Sequence, residues 1–210
     1  MRLLVATTNP GKLREIHGLL SSVPVTLVGL SDCPAVPEPE ETGTTFAENA
    51  RAKALYYASH CRLLTVAEDS GLVIDALDGE PGVRSARFLR PDATYPERFA
   101  EIYRRLGRQP ARPRSARFVC ALAVARADRV LYEADGVAEG EIVEPPRGEG
   151  GFGYDPIFYY PPYCRTLAEV EADAKLRVAH RGVAFRKLAA WLAGGGADGR
   201  PVSASEPRTA

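Results

Sequence analysis

Apolar runs alternate with amphipathic stretches along the first third of the chain. The run "LLVAT" predicts a buried strand, and "KLREIHGLL" after it places Leu13, Ile16 and Leu20 at helical spacing. "VTLVGL" predicts a second short strand, which leads into the Pro- and Glu-rich loop "CPAVPEPEETG". In "TFAENARAKALYYASH", Thr45 and Glu48 have the spacing of a capping box, so we expect a helix to begin there.

The middle and end of the chain predict longer strands. "RLLTVAEDSGLVIDAL" is expected to form a strand that is interrupted at Glu68–Gly71 and then continues, and "PERFAEIYRRLG" is expected to form a helix. "RFVCALAVAR" and "RVLYEADGVAEGEI" predict two strands that are joined by a turn at Ala127–Asp128. "HRGVAFRKLAAWLA" predicts a last helix, whose apolar face comprises Ala184, Leu188, Trp191 and Leu192.

Together these elements predict an α/β fold with a mixed sheet that is flanked by helices. A single domain is expected over residues 1–193. Residues 194–210, "GGGADGRPVSASEPRTA", contain too few apolar side chains to pack, and we expect them to form a disordered tail.

Composition and charge narrow the functional classes. The 27 basic residues balance the 27 acidic residues, so the chain lacks the overall positive field that attracts nucleic acid. No apolar run approaches the roughly 18 residues of a membrane-spanning helix. Cys33, Cys61, Cys120 and Cys164 are scattered without a C-x-x-C pair, and no signal peptide precedes them. We therefore expect reduced thiols and a cytoplasmic protein without membrane contact.

The first candidate site is "TTNPGK", Thr7 to Lys12, between the first predicted strand and the first helix. It does not match the P-loop pattern, because the upstream Gly and the Ser or Thr after the lysine are missing. A loop that opens a helix still presents backbone N–H groups to an anion, and Thr8, Asn9 and Lys12 add side-chain donors. The alternative is an Asn-Pro-Gly turn with a solvated lysine.

Two acidic pairs form the second candidate site. Glu68 and Asp69 are neighbours in a predicted strand, so both can reach one cavity only if the backbone turns at Ser70–Gly71; one acid is expected to be the working one. Glu41, with Glu40 beside it, can supply a second oxygen ligand. Mg²⁺ needs only one or two protein carboxylates when phosphates and water complete its coordination. The alternative for each pair is surface charge.

Two further groups of polar residues lie on predicted helices. Asn49 and Lys53 are four residues apart and share a helix face, which borders either a site or water. Lys175, His180 and Arg181 gather near the start of the last helix, where an anion or a purine keto oxygen can bind. They are otherwise ordinary surface residues.

The glycine-rich stretch "GEGGFGYDPIF" formally fits G-x-G-x-x-G, but Pro156 prevents the helix that a dinucleotide-binding motif requires. The stretch is better explained as a loop that lets the backbone approach a ligand. Phe152 and Tyr154 then offer aromatic faces for stacking a base, and Asp155 offers a carboxylate for reading its edge. The alternative is a tight connection with aromatic residues in the core.

The order of these blocks is more specific than any one of them. "LLVATTNPGKLREI", "EETGTTFAENARAKA", "AEDSGLVIDALDGEPGVRSAR", "GGFGYDPIF" and "HRGVAFRKL", over about residues 1–192, closely resemble the inosine triphosphate pyrophosphatase family. The resemblance implies hydrolysis of ITP, dITP and XTP to the monophosphate and pyrophosphate, which removes deaminated purines from the nucleotide pool. It further implies an elongated mixed sheet in two lobes with a central cleft, a Mg²⁺ requirement and a homodimer.

The resemblance also assigns roles by position. Asp69 corresponds to the catalytic acid and metal ligand, and Glu41 to the other magnesium carboxylate. Many members have Asp-Asp-Ser-Gly where this chain has Glu68-Asp69-Ser70-Gly71, so a metal role for Glu68 is left open. The substrate-binding positions are Thr7, Thr8, Asn9, Pro10, Gly11, Lys12, Asn49, Lys53, Ser70, Phe152, Gly153, Tyr154, Asp155, Lys175, His180 and Arg181.

Two other functions remain open at the level of sequence. One is a related nucleotide pyrophosphatase with another base preference, and the other is a nucleotide-binding sensor that does not hydrolyse its ligand. Intact Asp69 and Glu41 argue against the sensor. A nucleic-acid-binding protein is the weakest alternative, because no basic segment interleaved with aromatic residues is present.

Overall fold

The computed structural model describes residues 1–198, which form a seven-stranded sheet with five α-helices. Along the chain, the strands are β1 (Arg2–Val5), β2 (Thr26–Val28), β3 (Leu64–Ile74), β4 (Ser115–Arg126), β5 (Arg129–Ile142), β6 (Phe158–Tyr160) and β7 (Arg165–Thr166). The helices are α1 (Pro10–Leu20), α2 (Phe46–Cys61), α3 (Tyr95–Leu106), α4 (Ala172–Val178) and α5 (His180–Ala193).

The sheet is mixed, as the pattern predicts. Its strand order is β2-β1-β3-β4-β5-β6-β7; β1 is parallel to β2 and β3, and every later pair is antiparallel. The first half consists of strand–helix–strand crossovers, which place α1 and α2 on the sheet faces. β4 and β5 form a long hairpin through the predicted Ala127–Asp128 turn, where Ala127 adopts a left-handed conformation with φ of 55°.

Local capping explains where two of the helices begin. The capping box that the sequence predicts at α2 is confirmed: the Thr45 hydroxyl accepts from the Glu48 N–H at 3.1 Å, and Glu48 Oε2 accepts from the Thr45 N–H at 3.1 Å. α1 begins with Pro10 at its first turn, after Asn9 at the N-cap. Both helices therefore start at residues fixed by local chemistry.

β3 runs without the interruption that was expected at Glu68–Gly71. Every residue from Thr65 to Ile74 pairs with β4, including Glu68 with Leu122 and Gly71 with Val119. The prediction of a break was wrong because the apolar strand β4 offers a continuous ladder of hydrogen bonds. The neighbouring carboxylates Glu68 and Asp69 consequently point to opposite faces of the sheet.

The long strands β3 and β4 pass through two separate core regions, which form two lobes. In one lobe, α1 and α5 cover one sheet face with Val66 and Leu122 at their centre, while α2 covers the other face over alanines such as Ala67. In the second lobe, Leu72 and Phe118 of the same strands pack against α3 and the β6 region. The polar residues Glu68 to Ser70 lie on β3 between the two regions.

Two sequence expectations differ from the structure near the C-terminus. Lys175 lies on the separate helix α4, whereas the sequence placed it near the start of the last helix. The expected disorder does not begin at residue 194. Gly196–Asp198 form a 3-10 turn, and Ala197 is buried in the core that α1 and α5 cover. The rest of the predicted tail, residues 199–210, lies outside the described residues. Within residues 1–198, no helix is both long and apolar enough to cross a membrane.

Candidate active site

A cleft of about 680 Å³ opens where β1 ends and β3 continues. β1 pairs with β3 only as far as Val5 opposite Val66, so the edge of β3 from Ala67 onward is not covered by β1. The loop before α1, the loop that carries Glu41, the glycine-rich loop and the start of α5 surround this edge. The predicted residues that line the cleft are Thr7, Thr8, Asn9, Lys12, Glu41, Lys53, Asp69, Ser70, Phe152, Gly153, Tyr154, Asp155, Lys175, His180 and Arg181.

The "TTNPGK" segment forms one wall of the cleft through a capped helix start. Asn9 Oδ1 accepts from the backbone N–H groups of Gly11 at 2.9 Å and Lys12 at 3.1 Å. The side-chain oxygen of Asn9 therefore acts as an acceptor that caps α1, whereas the sequence had suggested a donor to an anion. Pro10 and Gly11 do not line the cleft; a Cβ on Gly11 would lie 2.9 Å from the Phe152 ring, so glycine allows that ring to approach.

Asp69 is a buried carboxylate that faces α2. Asn49, one of the predicted residues, does not line the cleft but donates its Nδ2 hydrogen to Asp69 Oδ2 at 2.9 Å. Asp69 Oδ1 accepts from the N–H of Ser70 at 2.9 Å. Burial raises the pKa of Asp69 above its usual value, and the hydrogen bond from Asn49 offsets part of this rise. Asp69 is therefore held in position and is a stronger base than an exposed aspartate.

Glu41 faces the same cavity and is paired with two cations. Lys53, one turn after Asn49 on α2, makes an ion pair with Glu41 Oε1. Arg87 contacts Glu41 Oε2 through Nη1 at 3.2 Å and donates from Nη2 to the Glu41 carbonyl oxygen at 3.1 Å. Burial raises the pKa of Glu41, but Lys53 and Arg87 outweigh this effect, and the net pKa lies below the usual value.

Glu68 is separated from Asp69 by the sheet and does not line the cleft. Its Oε1 lies 3.0 Å from Lys12 Nζ and 3.1 Å from Arg181 Nη2, and its Oε2 accepts from the Cys120 thiol at 3.4 Å. Burial raises the pKa of Glu68, but the charges of Arg181 and Lys12 outweigh it and hold the pKa well below its usual range. Glu68 is thus a buried counter-ion for two cleft-lining cations, on the side of the sheet opposite Asp69.

The end of the cleft near Phe152 and the start of α5 is aromatic and cationic. The His180 ring stacks on Phe118 with centroids 4.8 Å apart, and the cations of Lys175 and Arg181 lie 4.9 and 5.6 Å from the Phe152 ring centroid. His180 Nδ1 is buried and has no hydrogen-bond partner among residues 1–198. Burial, reinforced by the charge of Arg181, lowers the pKa of His180 well below its usual range. His180 therefore lines this end of the cleft as a neutral ring with one buried, unpaired nitrogen.

Two residues of the glycine-rich loop make contacts within the protein, and those of Tyr154 agree with the alternative of an aromatic residue in the core. Asp155 Oδ2 accepts from the Phe152 N–H at 2.8 Å and from Lys175 Nζ at 2.6 Å, so this oxygen is engaged within the protein. The Tyr154 ring packs edge-on against Tyr95 in the second lobe, and its hydroxyl donates to the Ser85 carbonyl oxygen at 2.9 Å. Asp155 and Tyr154 line the cleft but also hold the loop in place.

Sequence reasoning missed Glu15 and Arg87. Glu15 accepts from Lys175 Nζ at 2.8 Å through Oε1 and from Arg181 Nη1 at 2.5 Å through Oε2. It lies three residues after Lys12 on α1, and this shared helix face is a signal that could have drawn attention to it. Arg87 ends a 3-10 turn, Gly82–Arg87, and nothing in its local pattern indicates a contact with Glu41, which is 46 residues away.

The fold and the cleft define an α/β protein with a site suited to a nucleoside polyphosphate. The chain belongs to the Ham1 family, whose family model matches residues 3–191. A curated relative from Exiguobacterium sp., a dITP/XTP pyrophosphatase, is 46% identical over 190 residues, which are 90% of this chain and 96% of the relative.

Two solved structures are similar to the whole fold. The HAM1 protein from Coxiella burnetii is 39% identical with a TM-score of 0.86, over 92% of this chain and 98% of its own. The Staphylococcus aureus Ham1 protein is 33% identical with a TM-score of 0.83, over 93% of this chain and 100% of its own. These findings confirm the family resemblance and the α/β fold that were expected from the sequence.

Proposed function

We propose that this protein hydrolyses the non-standard purine nucleoside triphosphates ITP, dITP and XTP to the nucleoside monophosphate and pyrophosphate, and so cleanses the nucleotide pool. The observation that supports this function most directly is the cleft itself, in which the buried carboxylate of Asp69 lies with Lys12 and Lys53. The relatives named dITP/XTP pyrophosphatases support the same substrate class.

The reaction needs charge neutralisation and an aligned water more than a covalent nucleophile, because positioning and electrostatics dominate phosphoryl transfer. Asp69 orients and deprotonates the water that attacks the α-phosphorus, and pyrophosphate leaves. The hydrogen bond from Asn49 fixes the direction of the Asp69 carboxylate. Lys12 and Lys53 balance the charge of the phosphates. Lys175, whose ammonium is paired with Glu15 and Asp155, lies beside Phe152 at the end of the cleft where the base binds.

Glu41 and Asp69 are the residues that would hold Mg²⁺. They suit a hard cation because both are carboxylates that line the same cavity, and the charge of Glu41 contributes to the raised pKa of Asp69. Within residues 1–198, no cluster of three or more potential metal-ligating side chains is present, so phosphate oxygens and water would complete the coordination. Bound Mg²⁺ would supply charge neutralisation and a more acidic water.

The purine base binds at the aromatic and cationic end of the cleft, and this end selects 6-keto purines. Donors from the His180–Arg181 segment or the loop backbone would pair with the keto oxygen of hypoxanthine, whereas the amino group of adenine would oppose them. The side-chain nitrogens of Arg181 are already paired with Glu68, Glu15 and Ser70, so the neutral ring of His180, with the proton on its unpaired Nδ1, is the side-chain donor. A site that hydrogen-bonds its substrate can discriminate by as much as about 10⁴ to 10⁵. Phe152, with a cation on its ring, is the stacking partner of the base.

A panel of ITP, dITP, XTP, GTP and ATP tests this function, with pyrophosphate and orthophosphate assayed separately in the presence of Mg²⁺. We expect pyrophosphate from ITP, dITP and XTP and little release from ATP. Orthophosphate alone would mean attack at the terminal phosphate and would refute the mechanism. Tight binding of ITP without any release would identify a sensor, and folded Asp69→Asn with near-normal turnover would remove Asp69 from its assigned role.

The resemblance also supports a homodimer with a purine nucleotide as its ligand. The balanced charge, the scattered cysteines and the lack of a long apolar run support a cytoplasmic protein with no role for nucleic acid or membrane. Light scattering coupled to gel filtration measures the mass directly. A species of about twice the 22.7 kDa chain mass is expected, and a monomer at all concentrations would contradict the dimer.

A further inference from the structure

Arg87 joins the two sides of the cleft. Its guanidinium reaches from the Gly82–Arg87 turn of the second lobe to Glu41, where it contacts both the carboxylate and the carbonyl oxygen, at 3.2 and 3.1 Å. The side chain is 41% exposed and lines the cavity. A ligand in the cleft can therefore reach the same guanidinium that holds Glu41.

The turn that carries Arg87 is firmly anchored to β3. Ser85 Oγ accepts from the Leu72 N–H at 2.9 Å and donates to the Gly82 carbonyl oxygen at 2.6 Å. A Cβ on Gly71 would lie only 2.3 Å from Ser85 Oγ, so the turn sits directly on the strand. Arg87 thus projects into the cleft from a rigid support.

The segment that carries Glu41 is held mainly by side chains. Residues 33–44 contain neither helix nor strand; Cys33 and Val36 pack against the core, and Thr44 bonds to Glu48. Nearer Glu41, the contacts are those of Arg87, Lys53 and the Asn49 side chain, which accepts from the Gly43 N–H at 2.8 Å. Arg87 and Lys53 together therefore hold the Glu41 carboxylate, one at each oxygen.

A cation at Glu41 would compete with the guanidinium of Arg87 for the Glu41 carboxylate, whose Oε2 Arg87 contacts. Both are positive, so each disfavours the other near one carboxylate. A triphosphate changes this balance because its oxygens accept bidentate hydrogen bonds from arginine. We propose that Arg87 releases Glu41 and binds the triphosphate when substrate enters, so that Arg87 makes cation binding at Glu41 depend on the nucleotide. This inference rests on the proposed function of the cleft.

The first test measures cation affinity without nucleotide. Mn²⁺, a paramagnetic substitute for Mg²⁺, is titrated into the wild type and Arg87→Ala, and free Mn²⁺ is followed by electron paramagnetic resonance. Because the variant lacks the competing charge, we expect it to bind Mn²⁺ about two- to fivefold more tightly, the range of a partly exposed ion pair. Arg87→Lys keeps the charge without the two-pronged contact and should fall between them.

The second test measures nucleotide affinity and the linkage. With EDTA present, Arg87→Ala should bind α,β-methylene-ITP roughly tenfold more weakly by calorimetry, because a charge-assisted contact is lost. The analogue should then increase Mn²⁺ affinity more in the wild type than in the variant, and Mn²⁺ should increase analogue affinity by the same factor. Arg84→Ala, in the same turn but exposed and outside the cleft, is the matched control and should leave all three values unchanged.

The outcomes separate this inference from the function on which it rests. Unchanged or weaker Mn²⁺ binding in Arg87→Ala would overturn the competition, since it would mean that Arg87 is neutral or supports Glu41 as a ligand. Equal linkage in the wild type and the variant would overturn the exchange onto phosphate. If the wild type binds the analogue neither with nor without Mn²⁺, the proposed function fails together with the inference.

Discussion

The neighbouring carboxylates Glu68 and Asp69 are expected to differ in how much stability the fold loses when their charge is removed. The side chain of Glu68 is 1% exposed and compensates the cations of Lys12 and Arg181. Glu68→Gln keeps the shape of the side chain but leaves those cations without their shared negative charge. The folded state should lose stability, because buried charges are costly when their partner is removed.

The magnitude follows from what remains around the two cations. Breaking a buried ion pair costs about 3 to 5 kcal/mol. Arg181 still faces Glu15 at 2.5 Å, and Lys12 is 17% exposed, so we expect a loss near the lower end, about 3 kcal/mol. Urea unfolding at pH 7, monitored by circular dichroism, measures this loss. In a domain of this size it corresponds to a fall in Tm of roughly 6 to 12 °C.

The pH dependence supplies a second measurement. Because the pKa of Glu68 is lowered in the folded state, its stabilisation is fully present above the unfolded pKa of about 4.3 and is lost as the pH falls toward the folded pKa. The stability difference between the wild type and Glu68→Gln should therefore stay constant from pH 7 to about 5 and shrink below about 4.

Asp69→Asn is the matched control. Burial raises the pKa of Asp69, so its ionised form destabilises the folded state at pH 7, and removing the charge offsets the one accepted hydrogen bond that the amide cannot make. Asp69→Asn should therefore lose less stability than Glu68→Gln while turnover is lost. If Glu68→Gln unfolds at the same urea concentration as the wild type, or if Asp69→Asn shows the larger loss of stability, the assignment of the two faces of β3 is refuted.

Three further predictions concern single contacts. Asn49→Ala should lower kcat and move the acidic limb of the kcat/KM profile to higher pH, because the lost hydrogen bond had lowered the pKa of Asp69; an unmoved limb would contradict this role. Gly71→Ala should cost about 1 to 3 kcal/mol in thermal unfolding, since its Cβ would meet Ser85 Oγ, and wild-type stability would show that the turn can yield. Phe152→Ala should raise KM for ITP with a smaller change in kcat, and an unchanged KM would remove Phe152 from the base pocket.

The sequence by itself determined the elements and the order of the candidate residues. Apolar periodicity predicted β1 to β5 and the helices α1, α2, α3 and α5, and the capping residues predicted the start of α2, because these signals depend on residues within a few positions of one another. The short elements β6, β7 and α4 were not predicted. The five blocks quoted from the sequence likewise sufficed together to recognise the family, since their order along the chain is a property of the sequence.

Only the tertiary structure decided how the charges are paired. β4 keeps β3 straight through Glu68 and Asp69, and this pairing, absent from the local pattern, sends one carboxylate into the core and the other into the cleft. Glu15 reaches Lys175 across 160 positions, and Arg87 reaches Glu41 across 46. Such contacts depend on which elements pack together, and no local periodicity encodes that choice.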